Sequence, residues 1–266
     1  MNKSIYDRWK LSIPYIIFMA LFVVMPLIVI LYYGFTDASG HFSCENAVTF
    51  FCNSKTMGTL LYSLVIGVIV TCICLLLAYP VAYILAKGEY AKKHSFLMVF
   101  VLPMWINFTL RITALKEILT LLEGNLAYHP FMNSIIGMVY DFLPFMIMPL
   151  FNALSKLDDS MIEASRDLGG NNFDTFRKVI LPLSIPGIIS GITMVFLPAM
   201  TNYVVLDMVY NSTYIMGSLI GSYFNTYDWN NGSIISAILL MFIGLFTVFT
   251  GRLATKNQEK QRRRRA

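Results

Sequence analysis

Lys55-TMGTLLYSLVIGVIVTCICLLLAYPVAYILA-Lys87 is the stretch on which the fold turns, because no charged residue interrupts it from Thr56 to Ala86. A helix needs about 20 apolar residues to cross the hydrocarbon of a bilayer, and this run exceeds that. The same pattern recurs on both sides of it. Lys10 is followed by no charge until Asp37, Lys178 by none until Asp207, and Asp228 by none until Arg252. Asp141 alone interrupts residues 130–155, and His94 to Arg111 encloses sixteen uncharged residues. Six spans are predicted, near 12–34, 57–86, 94–110, 132–154, 181–206 and 229–251. The shortest gains length because Lys93 and Arg111 can reach the interface along their own aliphatic stems.

Composition agrees with this all-α polytopic reading. The chain of 266 residues is 57% hydrophobic and 13% charged, against roughly 45–50% and about 25% in soluble domains. Mean hydropathy is +0.64. Disordered, collagen-like and disulfide-scaffold classes are excluded, and a soluble enzyme fits poorly. The runs are too long and too uniform for an outer-membrane barrel. The first run exceeds a signal-peptide core and reads as a retained signal anchor.

Charge sets the expected orientation. All but three of the twenty Lys and Arg residues fall on one side of such a topology, the exceptions being Lys55, Arg111 and Lys116. The positive-inside rule places the basic side, with both termini, in the cytoplasm. The tail 252–266, ending in Arg262–Arg265, reads as a cytoplasmic stop-transfer segment against anionic headgroups. No folded nucleic-acid module accompanies it, so nucleic acid is not an expected partner.

Cys72 and Cys74 read as small apolar residues within a span. Cys44 and Cys52 lie in the outer loop 35–56 and form either a disulfide or two free thiols. With His41 they match no zinc spacing, and no metal is assigned. In residues 112–123, Ile112, Leu115, Leu119 and Leu122 recur at helical spacing opposite Lys116, Glu117 and Glu123. That suits an interfacial amphipathic helix or a part of the third span that bends out of the bilayer.

The polar segment 156–182, KLDDSMIEASRDLGGNNFDTFRKVILP, is the most informative. Ser160 to Glu163 has the S-x-x-E form of a capping box, and Asp158 and Asp159 add negative charge at the same helix end. Gly169 or Gly170 can end this helix, and Asn171 or Asn172 can cap a second that runs to Pro182. Two short helices joined at a glycine elbow are predicted.

Glu163-Ala164-Ser165-x3-Gly169-x9-Val179-x-Leu181-Pro182 resembles the EAA loop of ABC-importer permeases. Ser165 stands for the second Ala and Val179 for the usual Ile. The stretches 102–119, 143–150, 163–170, 180–191 and 195–200 further resemble the PotB family of spermidine/putrescine importer permeases. The resemblance covers roughly residues 12–255. It implies a type I importer permease fold of six transmembrane helices with cytoplasmic coupling helices. It also implies that Ser160, Glu163, Ala164, Ser165, Asp167 and Gly169 lie in a segment coupled to a cytoplasmic ATPase dimer. The other implied partners are a homologous second permease and an extracytoplasmic polyamine-binding protein.

The chain has no G-x4-G-K-[ST] loop, no H-E-x-x-H and no G-x-S-x-G. It is therefore expected to be a transport subunit rather than an enzyme, with ATP and Mg held by the ATPase partners and no cofactor of its own. For a polycation, carboxylates and aromatic faces are the natural path. Asp141, Asp207, Trp105, Asn107, Tyr203 and Asn202 are the candidates. Asp141 serves the path, pairs with a Lys or Arg of a partner subunit, or is protonated and hydrogen-bonded; Asp207 serves the path or lies in the headgroup region; Trp105 and Tyr203 serve either the path or an interfacial belt. Arg111 would repel a cation, which favours a structural or receptor-facing role for it. Two other readings stand beside the polyamine importer: an ABC permease for sulfate, iron or an amino acid, and an ATP-independent secondary transporter.

Overall fold

The computed structural model describes residues 12–37, 39–88, 93–209 and 213–265. Lys3, Arg8, Lys10 and Lys92, used above for orientation, lie outside them. The described residues are helical apart from turns and one isolated bridge, Thr36 to Phe42. They pack as two compact units. One comprises the chain up to Gly58 with Leu219–Phe242, the other Thr59–Ser218 with the chain from Ile243.

In chain order the helices are α1 (Ser12–Gly34), α2 (Glu45–Cys52), α3 (Ser54–Lys87) and α4 (Lys93–Val101). They continue with α5 (Phe108–Glu123), α6 (Pro130–Ser155), α7 (Asp159–Asp167) and α8 (Asn172–Thr201). The last are α9 (Tyr203–Met208), α10 (Met216–Asn225) and α11 (Trp229–Arg265). Five of these are long and apolar enough to cross a membrane, and a bent pair makes a sixth.

In the first unit, two side-chain amides close the end of α1. Asn46 Nδ2 donates to the carbonyls of Thr36 (2.9 Å) and Gly34 (3.3 Å), and Asn230 Nδ2 donates to those of Tyr33 and Thr36. The last turn of a helix leaves carbonyls without partners, and these amides satisfy them. Cys44 and Cys52 sit at opposite ends of α2 and are free thiols. Eight helical steps separate their Cα atoms by about 12 Å, beyond the roughly 7 Å a disulfide spans. The free-thiol alternative is the one realised.

In the second unit α6 is the central element, buried along most of its length. It packs along α8, where Gly187 and Gly191 bring the backbones together. A Cβ at Gly187 would lie 2.5 Å from Ala153 Cβ and 2.8 Å from the Pro149 carbonyl oxygen. α3 presents a ridge of Ile66, Val70, Cys74, Ala78 and Ala82, all fully buried and spaced four residues apart. Its other faces expose Leu61, Val65, Leu76 and Ile84, as a lipid-facing surface does.

Three expectations change. The third span is not straight over 94–110. Helix α4 passes through a 3-10 turn, Leu102–Trp105, and the Ser95–Trp105 and Phe108–Glu123 helices meet at 94°. Pro103 disfavours continuation, and Asn107 starts a new helix by accepting from Thr109 N–H at 2.9 Å. The fifth span breaks at Asn202, so 203–206 belong to the separate helix α9. The second helix of the 156–182 segment does not stop at Pro182. A π-turn at Phe176–Ile180 lets Leu181 N–H reach the Phe176 carbonyl, and the helix runs on to Thr201. Five-residue bonding widens the turn in front of proline, where the usual donor is missing.

Candidate functional site

The segment α7 and its elbow stand at the end of the second unit that also carries Lys87 and Lys156. Asp158 caps α7, accepting from Ser160 N–H at 3.1 Å. The predicted capping box of Ser160 and Glu163 is therefore not used. Asp158 is one of the best N-caps and sits two residues earlier, which leaves Ser160 and Glu163 exposed within the helix.

The helix ends in a Schellman turn. Gly169 N–H donates to the Arg166 carbonyl at 2.8 Å, and Gly170 N–H to the Ser165 carbonyl at 3.0 Å. The two glycines are needed for different reasons. Gly169 has φ +80, a left-handed conformation costly for residues with a Cβ. At Gly170 a Cβ would lie 2.7 Å from the Ser165 carbonyl oxygen. Asn171 then caps α8, accepting from Asp174 N–H at 2.7 Å.

The elbow sorts the predicted residues onto two faces. Glu163, Ala164, Asp167 and Gly169 are exposed, with Glu163 and Asp167 four residues apart on one side. Ser165 points inward, its Oγ 3.0 Å from Oγ1 of buried Thr175. It locks α7 against the start of α8 and is not on the outer face. Composition hid two further exposed residues of the segment. Leu168 is 90% exposed and Phe173 69% exposed, large apolar side chains in the most polar segment of the chain. The only signal for them was that oddity of composition.

Next to the elbow, α6 and α8 frame a cleft of about 640 Å³. Met148, Asn152 and Lys156 line it from α6, and Pro186, Ser190 and Met194 from α8.

The path candidates lie toward the other end of the second unit and fall into two groups. Trp105 (84% exposed) and Asn107 lie at the α4–α5 bend. Asn202, Tyr203 and Asp207 lie at the α8–α9 break, with Tyr203 and Asp207 exposed. Helix α9 packs on both α5 and α6, which brings the bend and the break to the same end. Asn107 has its side-chain oxygen committed to capping. Asp141 does not stand alone: it is buried, and its Oδ1 lies 2.6 Å from Arg111 Nη2 on α5. Its partner is in the same chain, because the 94° bend swings α5 across α6 and delivers Arg111 to it.

A chain with these broken spans and this glycine elbow has known relatives. Residues 78–263 match the binding-protein-dependent transport system inner membrane component family. The chain belongs to that family. The PotB spermidine/putrescine transport system permease protein of Haemophilus influenzae is 34% identical, over 91% of this chain and 93% of its own length. That of Escherichia coli K12 is 36% identical, over 75% of this chain and 80% of its own. A PotB homolog from Mycoplasma pneumoniae is 29% identical over 95% of both.

The fold is that of the family's type I importer permeases. A chain of a bacterial alginate ABC transporter superposes with TM-score 0.74 at 12% identity, covering 96% of each chain. A chain of the MetNI methionine ABC transporter does so at 0.58 and 17%, covering 77% of this chain and 99% of its own. As a member of the family the protein is a multi-pass permease subunit of an ABC importer.

Proposed function

We propose that this chain forms half of the membrane path of an ATP-driven polyamine importer in a bacterial cytoplasmic membrane. It pairs with a homologous permease, receives spermidine or putrescine from an extracytoplasmic binding protein, and rests on a cytoplasmic ATPase dimer. ATP and Mg are held and consumed by that dimer; this chain is a transport subunit with no reaction or cofactor of its own. The observation that carries the reading is the exposed surface of α7 and its elbow, where Glu163, Ala164, Asp167 and Leu168 stand exposed, as does Phe173 at the start of α8. A short rigid helix with an apolar knob at its end suits a groove on a partner better than it suits water. The polyamine assignment draws on the PotB proteins, which match at 34–36% identity over most of the chain.

In this reading the basic flank is cytoplasmic, both termini lie there, and the bend and break face outward. ATP binding closes the ATPases and moves α7 as a lever. The motion passes directly into α8, since the chain is helical from Asn172 to Thr201. Asp207, Tyr203, Asn202, Trp105 and Asn107 surround the outer mouth, where weak carboxylate, amide and ring contacts suit a passing cation. The cleft between α6 and α8 forms the inner half of the path.

The experiment is gentle purification of the tagged chain from its host, with mass spectrometry of its companions and uptake of labelled spermidine in vesicles. Recovery of an ATPase and a second permease, with uptake competed by putrescine and not by sulfate, supports the proposal. A sulfate, iron or amino-acid competition pattern overturns the substrate. A lone chain that transports without ATP overturns the importer.

A further inference from the structure

Helix α7 is joined through the chain to α6 at one end and to α8 at the other. Helix α3 reaches it with no such connection. Lys87, the last residue of α3, donates from Nζ to the Leu157 carbonyl and to Asp159 Oδ1, each at 2.6 Å. Its side chain is 11% exposed, whereas that of Asp159 is 74% exposed. An open surface pair contributes only about 0–1 kcal/mol. Here the cation is shielded and shares a backbone carbonyl as well, so releasing both oxygens would leave a poorly solvated ammonium. About two turns earlier on the same helix, Tyr79 Oη lies 2.9 Å from Ser184 Oγ of α8. The Tyr79 ring meets Phe176 edge-on at 5.6 Å. Thus α3 is bonded at the entry to the segment by Lys87 and beyond its exit by Tyr79.

We propose that Lys87 is a positioning residue for transport, making α3 a third lever that moves with α7. The proposal rests on the reading of α7 as the ATPase contact. The two chain-connected spans follow α7 by covalent necessity. Helix α3 follows only if something holds it, and the Lys87 ammonium holds it to the first turn of α7. Tyr79 still ties α3 to α8, but without the Lys87 bond the first turn of α7 moves past the end of α3, the ATPases still close, and the path opens incompletely. The expected defect is therefore in transport per ATP rather than in ATP hydrolysis.

The test uses the whole importer in proteoliposomes, with spermidine uptake and ATP hydrolysis measured together. Lys87→Met keeps the apolar stem and removes the donors; transport per ATP is expected to fall about fivefold or more, with assembly and hydrolysis retained. Lys87→Arg, whose fork reaches both oxygens, should restore most of it. Unchanged transport per ATP in an assembled Lys87→Met importer overturns the proposal. If Lys87→Met does not assemble, Asp159→Ala decides: a smaller loss in the same direction supports the latch, and no loss overturns it. Leu168→Asp is run alongside. Loss of ATPase from that variant, with full coupling in Lys87→Met, overturns the role of Lys87 alone. Retention of ATPase in Leu168→Asp overturns the docking reading beneath it.

Discussion

Arg111 Nη2 lies 2.6 Å from Asp141 Oδ1, with both side chains buried, and the pair pins α5 across α6 where the third span bends. Removing one partner of a buried pair leaves a charge without solvent, at a cost of about 3–5 kcal/mol. Asp141→Asn is therefore expected to lower the thermal unfolding temperature of the purified subunit and its yield in the membrane. Replacing both, as Arg111→Met with Asp141→Leu, should recover most of that stability. If Asp141→Asn melts like the wild type while uptake falls, the carboxylate serves the path and the structural account is wrong.

The elbow makes a residue-specific prediction. Gly169 holds φ +80 with open space around its Cβ position, so backbone conformation alone limits it. Gly169→Asn should be well tolerated, because Asn enters the left-handed region at little cost, whereas Gly169→Val should lose about 1–2 kcal/mol or unwind the turn. Retention of ATPase on the purified subunit is the readout, and equal retention in the two variants would refute the assignment.

Leu168 and Phe173 should behave as anchors for the ATPase. Leu168→Asp or Phe173→Asp is expected to weaken docking by about 2 kcal/mol, roughly thirtyfold in affinity. Both side chains are exposed, so folding of the membrane part should not change. Co-purification with the ATPase, normalised to subunit in the membrane, measures it. Ser165→Ala offers the contrast: it removes the bond to Thr175 from inside the elbow and should loosen the segment without deleting a contact on the outer face.

Close approach of α6 and α8 depends on Gly187. A Cβ there meets Ala153 Cβ at 2.5 Å and a backbone oxygen at 2.8 Å, and neither is a flexible side-chain end. Gly187→Ala should destabilise by about 1–3 kcal/mol through overpacking. Gly244→Ala, with nothing within 4 Å, is the control and should melt unchanged.

Cys44 and Cys52 should each take one maleimide in the native protein without prior reduction, since α2 holds them at its two ends. Labelling that requires a reductant would place them in a disulfide and contradict the helix between them.

What the sequence determined by itself was set by terms that are local or additive along the chain. Transfer of apolar residues from water to hydrocarbon sums over a run, so the uninterrupted stretch from Thr56 to Ala86 announced a span without reference to its neighbours. The glycine elbow was legible for a related reason: Gly169 and Gly170 act on the backbone within one turn. The register of Glu163, Gly169 and Leu181-Pro182 carried the family.

Tertiary structure decided the questions in which two locally acceptable options compete or two distant segments meet. Asp158 and Ser160 are both good caps, and the chain path entering α7 selected the first. Helix α3 is apolar on every side, so no periodic signal said which stripe faces protein. Its buried ridge is told only by packing, which uses small Cys74, Ala78 and Ala82 where the neighbours come close. The bend at Ile106–Asn107 determined that Arg111 reaches Asp141, thirty residues away, and so converted an apparent lone acid into a structural pair. The reach of Lys87 to Leu157 and Asp159 belongs to the same class, because an ion pair between segments exists only once the fold has brought them within a few ångströms.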